Sequence, residues 1–170
     1  MKKPATIRLD NMTKIKSLYD VLVAAEAVMN KPSSESNLEY HLRRLGVVFP
    51  ESLRIFYLNS DGVKDPFGKC HWNWWPLSDL VTVSEFLIKE GIHDELPGYL
   101  DKRALDKSIV FCDALYCLPA YAIFLDEQSV LNGSVYALNP YSYSAPSFEC
   151  FAELFARQYP SSSIGIDEPK

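Results

Sequence analysis

The residues best suited to move protons near neutral pH are three histidines, His41, His71 and His93. None follows a nucleophile-elbow pattern with a serine or cysteine, and Gly-x-Ser-x-Gly is absent from the sequence. A triad is assembled in space, so spacing alone leaves one open. The plainer reading makes each histidine a structural or surface residue. Asp61, Asp65, Asp79, Asp113 and Asp126 are candidates for paired carboxylates. Asp61 precedes Gly62 and reads as a turn residue, and Asp79 reads as a helix cap. Asp113 and Asp126 end expected strands, where turn chemistry accounts for them. Cys112 and Cys117 have four residues between them, and no second pair mirrors that spacing. A zinc site completed by Cys70 and His71 would lack the two close-spaced ligand pairs of structural zinc. With Cys150, these cysteines sit among apolar neighbours and read as reduced, buried hydrophobes. No Gly-rich phosphate loop is present. No catalytic, cofactor or metal residue is assigned, and the chain is not expected to be an enzyme.

Binding chemistry is better represented. Ten Tyr, nine Phe and three Trp make 13% of the residues aromatic, and exposed aromatics make good anchors. Trp72, Trp74 and Trp75 form a cluster. In a strand, Trp72 and Trp74 share one face and Trp75 takes the other. One face is expected to be core, and the other would offer Trp74 or Trp75 as an anchor; burial of most of the cluster is the favoured reading. Tyr141-Ser142-Tyr143 suits adaptable recognition at a loop tip, although a packed loop fits equally well. Glu85, Glu90, Asp94 and Glu95 form an acidic stretch. The candidate partner-binding residues are therefore Glu85, Glu90, Asp94, Glu95, Trp74, Tyr141 and Tyr143. The net charge of −5 argues against nucleic acid, which needs a basic face, and suits a basic protein partner.

These residues must be positioned by ordinary elements. A chain of 170 residues fits one domain, and 48% hydrophobic residues suffice for a core without disulfides. Ile15, Leu18, Tyr19, Leu22 and Val23 predict a helix over about 11–29. Ser36 to Glu39 reads as a capping box, and Gly46 as the end of the helix it starts. Pro50 is expected to open a third helix, followed by a turn at Asp61-Gly62. An aromatic strand stops at Pro76. Ser78 or Asp79 then caps a helix through Val81, Phe86, Leu87 and Ile88, closed by Gly91. Residues 92–107 read as an irregular connection with a turn at Pro97-Gly98. Strands follow at 109–114, 121–126 and 134–139, the last two joined by a turn at Leu131-Asn132-Gly133. Residues 140–146 read as a Tyr/Ser-rich loop, and Ser147 caps a closing helix. Residues 161–170 read as a flexible tail. The pattern is α+β, with a largely antiparallel sheet covered by helices. No signal peptide or membrane span is visible, so a cytoplasmic location is expected.

Several of these segments, in order, resemble one family. Leu45-Gly46-Val47-Val48-Phe49-Pro50 through Tyr57, with Asp61-Gly62, is similar to the opening of the SUKH superfamily. That group includes the yeast cell-wall-assembly regulator domain and many bacterial relatives. Trp75-Pro76-Leu77-Ser78 looks like its strand-to-helix step. Ile109 to Asp113, Tyr121 to Asp126 and Gly133 to Tyr136 resemble its strands, and Ser147-Phe148-Glu149-Cys150-Phe151 resembles its closing helix. Two departures stand out: Asp61-Gly62 where Asn-Gly is common, and Leu118-Pro119-Ala120 where Gly-Asp is common.

The resemblance implies a mixed sheet with surrounding helices over 36–160, with residues 1–35 a helix and linker packed on it. It also implies an immunity role, the binding and neutralising of a cognate bacterial toxin, often a nuclease. It transfers no catalytic residue. The expected partner is then a basic toxin domain, met by a monomer or weak dimer. A regulatory or scaffold module with a cellular partner is the alternative, and a small hydrolase a more distant one.

Overall fold

The computed structural model describes residues 4–64, 70–92, 101–114, 119–138 and 141–159, and the backbone alone for 4–9. In chain order the helices are α1 (Pro4–Ala24), α2 (Glu35–Leu45), α3 (Glu51–Asn59), α4 (Val83–Glu90), α5 (Lys102–Asp106) and α6 (Phe148–Gln158). The strands are β1 (Val28–Met29), β2 (Val63–Lys64), β3 (Trp72–Trp74), β4 (Val81–Thr82), β5 (Ser108–Ala114), β6 (Ala120–Phe124), β7 (Val135–Leu138) and β8 (Ser142–Ala145). Among the described residues they form one sheet in the order β1-β2-β3-β5-β6-β7-β8, and every pairing is antiparallel. β3 and β4 share one edge of β5, β3 along Cys112–Ala114 and β4 along Ile109–Val110.

The core lies between this sheet and α1, α3 and α6. α6 carries Phe148, Phe151 and Phe155 on one face, all fully buried. They meet Trp72, Trp74, Phe111 and Tyr121 of the sheet at ring separations of 4.8–6.4 Å, mostly edge-to-face or tilted. That geometry suits the aromatic quadrupole. On the other face Trp75 packs on Phe86 of α4. The α+β expectation holds, and its sheet is antiparallel throughout.

The local departures have identifiable causes. α1 begins earlier than its apolar pattern and stops at Ala24. Glu26 takes a left-handed φ of 62°, while the Ala27 N–H reaches Leu22 O and the Glu26 N–H reaches Val23 O. This is a Schellman stop without glycine, so composition does not announce it. Val28 and Met29 then pair with β2. Ser34, not Ser36, caps α2, accepting from the Asn37 N–H at 3.2 Å. Glu39 instead pairs with Arg54. Gly46 ends α2 with φ 65°, as expected. Pro50 sits at the cap of α3, one place before its first helical residue. Thr82, not Ser78 or Asp79, caps α4. Asp101 accepts from Ala104 N–H and starts the short helix α5 inside the stretch read as irregular. The Tyr/Ser segment is strand β8, because pairing with β7 satisfies its backbone. Pro97, Gly98 and the tail beyond 159 lie outside the described residues.

Candidate protein-interaction surface

The acidic candidates are organised by α4. Thr82 Oγ1 accepts from the Glu85 N–H, and Glu85 Oε2 accepts from the Thr82 N–H at 2.8 Å and from its hydroxyl at 3.0 Å. This reciprocal box satisfies two end donors and fixes where the helix begins. Val83, Phe86 and Leu87 are then buried against β4, β5 and Trp75. At about 100° per residue, Ile88 falls roughly 140° from Val83 and points away from the core. It is 78% exposed. Glu85, one turn back, and Lys89 lie nearest it on the helix surface, Glu90 falls about 160° away around the axis, and all three are exposed. Glu90 has no ion-pair or hydrogen-bond partner among the described residues. Asp94 and Glu95 lie outside the described residues, as do His93 and Asp65.

The aromatic candidates divide. Trp74 is fully buried, as are Trp72 and, nearly so, Trp75. Trp74 is therefore not an anchor in this fold. β3 is an interior strand, and its core face is roofed by Phe148, Phe151 and Phe155, so an indole there meets rings rather than solvent. Tyr143 is 38% exposed on the outermost strand and meets Tyr136 edge-on at 5.4 Å. Tyr141 is half-buried beside it. Burial raises the pKa of the Tyr143 hydroxyl.

The structure does not bring the two patches together. α4 lies on β5, and β8 is three strands further across the sheet, roughly 14 Å at ordinary strand spacing. Exposed apolar side chains that sequence periodicity left unmarked include Tyr40 on α2, 59% exposed, and Val48, 63% exposed. Val48 borders a cleft of ≈ 190 Å³ lined also by Arg103, Lys107, Asp126 and Glu127. Its charges are largely committed: Arg103 pairs with Asp126 at 3.0 Å, and Lys107 donates to Gly46 O at the end of α2. The Gln128 N–H and Arg103 hold the Asp126 carboxyl below its usual range.

The residues weighed for catalysis have structural work. His41 is half-buried on α2 with Nδ1 unpartnered among the described residues. Desolvation lowers its pKa, Arg44 adds to this, and Asp61 opposes it. Asp113 is no turn residue. It lies inside β5, 4% exposed, and accepts from the Trp75 indole N–H and from Asn73 Nδ2. Neighbouring Cys112 is fully buried, and desolvation holds its thiol well above the ordinary range, so it is a packing residue rather than a nucleophile. Cys70 is buried, and Cys117 lies outside the described residues. No group of three or more His, Cys, Asp or Glu with metal-holding geometry occurs among the described residues. None of the described helices is long and apolar enough to cross a membrane.

No curated protein matches this chain. A family model does, over the span from the loop before α2 almost to the end of α6. It covers the helices, the antiparallel sheet and the aromatic seam between them. Residues 32–156 match the SMI1 / KNR4 family (SUKH-1), and the chain belongs to that family.

Proposed function

We propose that this chain is an immunity-type protein that binds a toxin domain stoichiometrically through the outer face of α4. The observation that carries the surface is Ile88, an aliphatic side chain 78% exposed, with exposed Glu85 one turn before it. An apolar centre with Glu85 beside it, and Glu90 closing the same helix, suits a partner offering a shallow apolar pocket near lysines or arginines. The net charge of −5 adds attraction during encounter with such a basic partner. Membership of the family supports the immunity reading.

The test is to mix the purified chain with the toxin domain encoded beside it. An equimolar complex and loss of toxin activity at one equivalent are expected. Ile88→Arg combined with Glu90→Lys should weaken that complex at least tenfold, roughly 1.4 kcal/mol, with the circular dichroism spectrum unchanged. Full toxin activity in the presence of excess chain would overturn the immunity reading. Undiminished binding by the double variant would overturn the assignment to α4.

A further inference from the structure

The connection from β6 to β7 contains Leu131-Asn132-Gly133, and Asn132 is the only asparagine of the chain that precedes glycine. That pair carries its own chemistry. The Gly133 amide nitrogen, on losing its proton to solvent, attacks the side-chain carbonyl carbon of Asn132. The new C–N bond closes a succinimide ring, and ammonia leaves with a proton taken back from solvent. Water then opens the ring to aspartate or to isoaspartate. Water and hydroxide are the only co-reactants. Glycine favours the closure because it brings no Cβ to obstruct it.

The fold treats the two reacting groups differently. Asn132 is exposed, and its side-chain amide has no hydrogen-bond partner among the described residues, so its carbonyl is open to attack. The attacking nitrogen is held. The Gly133 N–H donates to Phe124 O at 2.7 Å, and the Phe124 N–H donates to Ser134 O at 3.0 Å. These two bonds continue the β6–β7 ladder beyond the pair Ile123↔Val135. Phe124 is 1% exposed and Ser134 8%, so separating them uncovers core. The backbone on either side of the reacting bond is fixed as well. The Asn132 N–H donates to Ser129 O at 3.2 Å, and the Ser134 N–H donates to Leu131 O at 2.9 Å.

We propose that Asn132-Gly133 is a site of spontaneous deamidation gated by the β6–β7 hairpin. It is closed while Phe124 O holds the nucleophilic nitrogen, and it opens when that end of the hairpin separates. Conversion then follows the population of the opened hairpin, as amide hydrogen exchange does. Accumulated product therefore records the time a chain has spent opened. The site is distinct from the α4 surface and does not rest on the immunity reading.

The test incubates the full chain at mildly alkaline pH, folded in buffer and unfolded in guanidinium chloride. Peptide mapping by mass spectrometry follows aspartate and isoaspartate at position 132 over days. The unfolded chain is expected to convert, and the folded chain to convert about tenfold more slowly or less. Asn132→Gln should give no conversion there in either state, because its longer side chain disfavours the ring. In hydrogen exchange of the folded chain, the Gly133 amide should be among the protected ones. Equal conversion in the folded and unfolded chains overturns the gate, and so does a Gly133 amide that exchanges freely in the folded chain. An unfolded chain whose Asn132 stays intact overturns the site itself.

Discussion

Asp61 Oδ1 accepts the backbone N–H of Leu77 at 2.8 Å, joining the end of α3 to the loop that follows β3. The same loop is held from α2, where Arg44 donates to Leu77 O at 3.2 Å and to Leu80 O at 2.8 Å. Between them, Asp61 and Arg44 satisfy backbone groups that no strand or helix reaches. The loop in turn sets where β4 and α4 begin, and so where Ile88 faces. A residue read from sequence as a turn former therefore also positions the proposed interaction surface.

Asp61→Ala should cost about 1.5–3 kcal/mol, the range for a hydrogen bond to a charged acceptor. Asp61→Asn keeps an acceptor oxygen and should cost less. Next to it, Gly62 has φ 81°, and an added Cβ would lie 2.5 Å from Trp74 O. Gly62→Ala therefore meets both strain and a backbone clash and should cost about 3 kcal/mol or more. Urea denaturation of the three variants checks this order. A Gly62→Ala chain as stable as wild type would be incompatible with the turn described.

Trp74 separates core from surface. Its indole touches Phe56, Phe111, Phe148, Phe151 and Phe155. Trp74→Ala should cost about 3–5 kcal/mol through loss of contacts and cavity formation. Trp74→Phe should lower stability less and leave binding at the proposed α4 surface unchanged in the fraction that folds. A selective loss of affinity in Trp74→Phe at wild-type stability would return this residue to the surface.

α1 lies ahead of the span matched by the family yet is built into the core. Ile15, Leu18 and Leu22 are buried, Tyr19 donates to Phe56 O at 2.6 Å, and Lys14 pairs with Glu153 at 3.1 Å. Burial raises the Tyr19 hydroxyl pKa, so it stays protonated as a donor. Leu18→Ala is expected to cost about 2–5 kcal/mol. Removing residues 1–27 should expose α3 and α6 and produce binding of a hydrophobic dye. A truncated chain that melts like the full one would show α1 to be dispensable.

Much of this was legible because strong local signals agreed with the tertiary outcome. Gly46 and Gly91 stop helices in the left-handed region, Ser147 caps α6, and the apolar runs of β5, β6 and β7 are buried on both faces. What escaped depended on contacts distant in sequence or on unusual residues. The α1 stop uses Glu26 where glycine is the common signal. β8 looks like a loop until β7 pairs with it. Ile88 lies about 140° round α4 from buried Val83, and its aliphatic type alone does not tell that it faces outward. Asp113 pairs with Asn73 and Trp75, forty and thirty-eight positions away, which no local pattern encodes.

His41 gives the fold a dependence on pH whose sign follows from its surroundings. Desolvation and Arg44 lower its folded pKa below the ordinary 6.5, against a smaller opposing pull from Asp61. The unfolded chain therefore takes up a proton at a higher pH than the folded chain. Above 6.5 both forms are neutral and this residue leaves stability level. As pH falls from 6.5 toward the folded value, the unfolded state gains the proton first and stability drops; below the folded value the loss is complete. His41→Gln removes the titration, so its stability should fall less than wild type over that window. Denaturant midpoints between about pH 5 and 8 measure the difference. A wild-type chain that instead gained stability relative to His41→Gln on acidification would mean that His41 is better accommodated charged, with Asp61 outweighing Arg44 and burial together.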